Sequence, residues 1–207
     1  MPDTAQTRFC TAELERRLLS IPFERDTNWH VITGAPCCGK TTLIEQLAAL
    51  GYATAPEVGR EYMQGEIAGG RVLDDIQATR VAVCYRIKDL QLALERGLLP
   101  QECLFMDRAF PDCLSFHRIR GLDPHELLPD CSRHRYASVF LLDRLPIQAD
   151  GVRTEDELAA DFLDDWLARD YAALGYTVVR VPVMSRQARL RFVLGWLAVH
   201  GLLDRHL

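Results

Sequence analysis

The sequence predicts an α/β fold, a parallel sheet of about five strands with helices on both faces, and three observations carry that prediction. Short apolar, β-branched runs alternate with longer stretches of helical periodicity. Two of the runs, residues 103–107 and 137–143, end in an aspartate, as buried parallel strands do when they emerge at the edge of a sheet. A glycine-rich loop joins the earliest strand to the helix that follows it.

The elements follow in order. Residues 29–33 (WHVIT) form the first strand, and Leu43, Leu47 and Leu50 give the next segment one apolar helical face, closed by Gly51. Residues 52–55 read as a short second strand. An irregular or helical, mobile stretch holding Gly65, Gly69 and Gly70 comes next. Ile76, Val83, Ile87, Leu90 and Leu94 keep one stripe over about 74–96, which predicts a single long helix with Asp74 or Asp75 at its start and Gly97 after its end. Thr154 and Glu157 form a capping box for a helix to about Ala173, stopped by Gly175. A last strand over 176–181 precedes Pro182 and a helix over 185–200. Ligands of such a sheet sit at the carboxyl ends of its strands.

Bulk properties narrow the function classes. A chain of 207 residues, 48% hydrophobic and 26% charged, is expected to be one domain over 1–207, with 1–27 as an N-terminal extension. A net charge of −5 and a pI of about 5.7 give no general attraction to nucleic acid or an anionic membrane. No stretch approaches the ~18 apolar residues of a membrane span, so a cytoplasmic protein is expected. Seven scattered cysteines, an odd number, fit reduced thiols. Cys113 with His117, and Cys131 with His134, resemble zinc spacing loosely, and packing accounts for both cysteines equally well.

Gly34-Ala35-Pro36-Cys37-Cys38-Gly39-Lys40-Thr41 matches G-x-x-x-x-G-K-[ST] between a predicted strand and a predicted helix, the context that makes this pattern a P-loop. Its backbone N–H groups and the helix N-terminus would cradle a nucleoside triphosphate. Lys40 would reach the β- and γ-phosphates, Thr41 would ligate magnesium, and Thr42 would serve the helix or the α-phosphate. The fold class is therefore the three-layer P-loop NTPase fold. Cys37 and Cys38 occupy variable loop positions, where the helix dipole would favour thiolate and oxidation; any small residue also fits there.

Asp107, ending an apolar strand, is the candidate second magnesium ligand or acceptor-orienting acid, and Arg108 follows it; the bland alternative is a solvated strand end. Glu57, just past the second strand, is a candidate general base for an acceptor hydroxyl, set against a plain surface carboxylate. Arg144 and Arg153 bracket a turn-rich segment that resembles a lid over about 144–156, with surface salt bridges as the alternative. Arg118, Arg120, Arg133 and Arg135 read as solvated arginines in a chain whose only lysines are Lys40 and Lys88.

The P-loop at 34–42, the P-E-x-x-R-E-Y segment at 56–62, the D-R-x-x-P-D turn at 107–112, the D-G-x-R-x-E segment at 150–155 and the L-G-Y…V-P ending at 174–182 together resemble the AAA-labelled P-loop ATPase family that includes the ribosylnicotinamide kinase domain of NAD-biosynthesis regulators. The resemblance spans about 28–200. It implies a nucleoside- or nucleotide-kinase-like fold using ATP or GTP with magnesium, Glu57 and Arg60 near the acceptor, and Arg153 in the lid. Ribosylnicotinamide is one candidate acceptor among several. The leading expectation is γ-phosphoryl transfer to a small-molecule acceptor by Lys40, Glu57, Asp107 and Arg153, with Glu57, Arg60 and Arg108 at the acceptor. The other is a nucleotide-dependent regulatory ATPase or GTPase with no such acceptor. Adenine is favoured over guanine because no N-K-x-D motif occurs, and a AAA+ motor is disfavoured because one helix follows the last strand.

Overall fold

The structure, a computed structural model, describes residues 16, 18–145 and 155–203. Five parallel strands make the main sheet: β2 (Trp29–Thr33), β3 (Ala53–Ala55), β4 (Leu104–Asp107), β6 (Ser138–Leu142) and β7 (Val178–Val181), in spatial order β3-β4-β2-β6-β7. The P-loop strand is thus central, and its register places Ile32 opposite Asp107 and Thr33 opposite Leu141. Two short strands absent from the sequence prediction, β1 (Arg25–Asp26) and β5 (His134–Arg135), pair in parallel beside the main sheet.

Period-two alternation sends successive residues of each strand to opposite faces. Trp29, Val31, Leu104, Met106, Val139 and Leu141 enter one core, with Leu163, Leu167 and Tyr171 of α7 (Glu155–Ala173). Ile32, Phe105, Phe140 and Leu142 enter the other. There they meet Leu43 and Leu47 of α1 (Lys40–Ala49), together with Val193 and Leu197 of α8 (Arg186–Val199). Burial on both faces is why these strands read as continuous apolar runs.

The 56–70 segment is mostly helix, α2 (Val58–Ala68), ending where Gly70 takes a φ of 93°. The predicted helix over 74–96 is two helices, α3 (Leu73–Ala78) and α4 (Arg80–Gly97). Its apolar stripe is real, but Thr79 breaks the chain between them, with its hydroxyl donating to the Asp75 carbonyl at 3.0 Å and accepting from Arg71 at 2.8 Å. A threonine hydroxyl that captures a backbone carbonyl in this way competes with helix hydrogen bonding. The α5 helix (Asp112–Ile119) follows β4, a short 3₁₀ turn spans Pro124–Leu127, and α6 (Leu128–Cys131) leads to β5.

Zinc spacing is not realised: among the described residues no group of three or more His, Cys, Asp or Glu could hold a metal ion. Cys113 and Cys131 pack in an apolar cluster with Phe110, Leu114 and Leu127. Among the described residues no helix is long and apolar enough to cross a membrane. The capping-box residues Thr154 and Glu157 lie outside the described side chains.

His30 is fully buried on β2, with Nδ1 2.9 Å from Ser138 Oγ on β6. Burial pulls its pKa down from 6.5 to about 4. The unfolded chain binds a proton here below pH 6.5 and the folded chain does not, so this group's contribution to stability is complete above 6.5 and declines as pH falls towards 4. Urea unfolding of wild type and His30→Phe should therefore show the difference in unfolding free energy moving in favour of the variant between pH 7 and pH 4.5. A pH-independent difference would refute that assignment.

Candidate functional site

Gly34 leaves β2 at a φ of 144°, and a Cβ built there would stand 2.8 Å from both Cys38 Sγ and the Leu142 carbonyl oxygen. Only glycine lets the loop turn this closely over β6. Gly39 has a φ of 92° and starts α1, whose N-terminus carries no side-chain cap and no acid in its first turn. Its N–H groups and dipole are left for an anion. Ala35 and Cys38 are buried, Cys37 is exposed with a φ of 61°, and Pro36 and Thr42 complete the loop and first turn.

Lys40 lies within this curve, 5% exposed, donating to the Gly34 and Ala35 carbonyls at 3.2 and 3.1 Å. Burial, then the neighbouring Arg108 charge, lowers its pKa. Thr41 Oγ1 donates to Asp107 Oδ2 at 2.9 Å, so β4 and the first turn of α1 meet here. The other Asp107 oxygen, Oδ1, is buried without a hydrogen-bond partner, and burial followed by the Glu57 charge raises the carboxyl's pKa. A hydroxyl beside a carboxylate oxygen lacking a donor is a donor set that fits a hard divalent cation such as Mg²⁺.

Arg108, directly after Asp107, holds a φ of 72° and turns the opposite way. Its Nε donates to Glu57 Oε1 at 3.1 Å, its Nη1 donates to Asp112 Oδ1 at 3.0 Å, and its guanidinium lies 5.0 Å from the Phe116 ring centre. Burial alone would lower the Arg108 pKa; the Asp112 and Glu57 carboxylates outweigh it and leave it raised. For Glu57 burial acts upwards, but Arg108 and Lys40 prevail and its pKa is lowered, so it is ionised at neutral pH. Arg60 Nε is 3.8 Å from Glu57 Oε2 on the outer side.

Glu57, Arg60, Arg108 and Asp112 border a cavity of about 320 Å³ between α2, α3, α4 and α5, with walls that include Val58, Met63, Ile76, Val83, Ile87 and Phe116. This is the lower end of the size range of small-molecule sites. Of the lid arginines, Arg144 is paired with Asp161 of α7, and Arg153 lies outside the described residues. Arg118 is bound to Asp170 and stacked on Trp166, Arg133 is paired with Asp130, and Arg135 lies over Phe23; Arg120 reaches the cavity.

Two residues at the site were given no role from sequence. Asp112 gathers Thr33, Arg108, the Ala109 N–H and Tyr171, and its only signal is its place in the D-R-x-x-P-D turn. Arg189 of α8 is 4% exposed; its Nη1 donates to the Cys38 carbonyl and its Nη2 to the Asp143 carbonyl at 3.3 Å. It falls in step with buried Val193 and Leu197, and an arginine in an apolar stripe was the available signal.

A central parallel strand, a glycine loop closing over a buried lysine and a neighbouring strand-end aspartate joined to the loop's threonine define a P-loop NTPase fold. A profile of the family described as AAA domain matches residues 29–189, and the chain belongs to that family. Among solved structures it is similar to NadR protein in complex with NAD and AMP-PNP, at 18% identity and a TM-score of 0.61, covering 94% of this chain and 53% of that one. It is also similar to NadR protein in complex with NR, at 20% identity and a TM-score of 0.59, covering 94% and 55%. This chain thus spans about half the length of those NadR chains. No curated protein matches it.

Arg189 holds the outside of the loop that Lys40 holds from within. Arg189→Met, which keeps the aliphatic packing and removes two charge-assisted donors, should weaken triphosphate binding about tenfold, roughly 1.4 kcal/mol. Titration of a fluorescent triphosphate analogue would measure it, and unchanged affinity would show that the loop holds its shape without the clamp.

Proposed function

We propose that the chain binds ATP, or GTP, with magnesium and transfers the γ-phosphoryl group to a hydroxyl of a small molecule held in the cavity beside the P-loop. The observation that carries this reading is the divergence of two consecutive residues. Asp107 faces Thr41 and the P-loop, while Arg108 faces Glu57 and the cavity. A triphosphate on the loop would thus have its terminal phosphate at the mouth of a largely apolar cleft, the arrangement that in-line transfer to a bound acceptor requires. The AMP-PNP held by the structurally similar NadR protein supports a triphosphate at this loop.

In this reading Lys40 exchanges its two loop carbonyls for β- and γ-phosphate oxygens, and its ammonium offsets charge that builds there. Thr41 and Asp107 hold magnesium, which neutralises phosphate charge when bound. Glu57, kept ionised by Arg108, accepts the hydrogen bond of the acceptor hydroxyl and receives its proton as the new P–O bond forms and the β–γ bridge breaks. Arg60 and Arg108 border the acceptor. The whole chain acts as one domain in the cytoplasm. Ribosylnicotinamide remains a candidate acceptor, and the NR bound by NadR protein supports including it in a screen.

The test is turnover with ATP or GTP and magnesium against nucleosides, nucleotides, ribosylnicotinamide and vitamin-like alcohols. Lys40→Ala should abolish triphosphate binding. Glu57→Gln should keep it and lose transfer by about a hundredfold or more. Full transfer by Glu57→Gln would remove that residue as proton acceptor. Lys40-dependent binding with no phosphorylated product from any acceptor would favour a regulatory NTPase.

A further inference from the structure

The cavity's charges are unbalanced. Four arginines line it, Arg60, Arg80, Arg108 and Arg120, against two acids, Glu57 and Asp112. Arg108 is committed to both acids and Arg60 sits beside Glu57, which leaves an excess of two positive charges at the exposed Arg80 and Arg120. Arg60 touches Glu57 only at 3.8 Å and is 56% exposed.

Arg80 stands at the first position of α4, a helix of 18 residues with no acid in its first turn and no side-chain cap. A cation there opposes the helix dipole, which favours anions at this end by roughly 0.3–1 kcal/mol. Together, an uncapped helix start and an arginine beside it make an electropositive corner next to Ile76 and Val83. Across the cavity, His117 is 1% exposed, with Nδ1 tied to the Cys113 carbonyl at 2.9 Å and Nε2 buried without a hydrogen-bond partner. Its nearest acid, Glu126, stands at 3.6 Å. His117 is thus a buried polar member of the cavity wall, with its Nε2 turned to Glu126.

From this charge pattern we infer that the acceptor is a phosphate monoester with a small apolar or aromatic body, its dianion bound by Arg80 and Arg120 at the end of the cavity away from the P-loop. Two negative charges balance the excess of two, and guanidinium forks match phosphate oxygens in bidentate fashion. The apolar walls take the body, and the hydroxyl to be phosphorylated lies at Glu57. A neutral nucleoside leaves the guanidinium cluster uncompensated, and a cationic one is repelled by it. This inference rests on the kinase reading for the identity of the hydroxyl, but its charge preference is measurable without transfer.

The experiment compares matched pairs, adenosine with AMP, cytidine with CMP, and ribose with ribose 5-phosphate, plus ribosylnicotinamide with its monophosphate. Binding to the full chain is followed by calorimetry, and transfer from ATP is followed separately. In at least one pair the phosphorylated member should bind tenfold or more tightly than its partner. Arg80→Gln with Arg120→Gln should cut that preference at least tenfold, and Arg80→Lys with Arg120→Lys should restore part of it, with circular dichroism checking the fold. Equal or weaker binding of every phosphorylated member, no binding at all, or a preference insensitive to these substitutions would overturn the inference. The two readings separate cleanly. Phosphate-dependent binding without transfer keeps the anion site and removes the kinase, whereas transfer to neutral members alone keeps the kinase and removes the anion site.

Discussion

The carboxylate of Asp112 is the point on which the site's geometry depends. It is 2% exposed and accepts hydrogen bonds from Thr33 at 2.5 Å, Arg108 at 3.0 Å, the Ala109 N–H at 3.2 Å and Tyr171 at 2.7 Å. Those donors come from the end of β2, the turn after β4 and the middle of α7, so one buried acid ties the sheet's central strand to the helix layer behind it. A buried carboxylate is tolerable only when its lone pairs are filled in this way. Removing it would leave Arg108 charged and short of a partner, a larger cost than the loss of any single bond.

From that anchor the rest follows in sequence. Arg108 is held in a left-handed backbone conformation, and that turn sends its side chain to Glu57 while Asp107 stays on the P-loop side. Strained backbone of this kind persists only where surrounding contacts over-determine it, and it concentrates at functional sites. The division of labour between a phosphate side and a cavity side is therefore made by one peptide unit. The P-loop is braced from both directions, by Lys40 inside and Arg189 outside, and Gly39 leaves the space for the Arg189 guanidinium, which would stand 3.1 Å from a Cβ there.

Burial sets the chemistry of these groups as much as contact does. Lys40, Asp107 and Arg108 are all nearly inaccessible, in a cluster whose charges compete for one another. Desolvation lowers the lysine and raises the aspartate, while ion pairing keeps Arg108 charged and Glu57 ionised. Such a site has unmet electrostatic demand at Lys40 and Asp107, and groups in that condition are candidates for ligand binding.

Local sequence determined the elements that local physics controls. Continuous apolar runs specify strands buried on both faces, the glycines at 34 and 39 specify the loop, and the acid after Met106 marks the sheet edge; all are found where the pattern places them. Residues 74–96 show the limit, because an apolar stripe records which side faces the core and does not record that Thr79 interrupts the backbone. The roles of Asp112 and Arg189 were equally hidden, since a buried acid or arginine is defined by partners 79 and 151 positions away in the chain. Only the tertiary structure decided which of many arginines face the cavity and which, like Arg118 and Arg133, are bound elsewhere. Side chains of one type are indistinguishable in sequence, and it is long-range packing that gives each its neighbours.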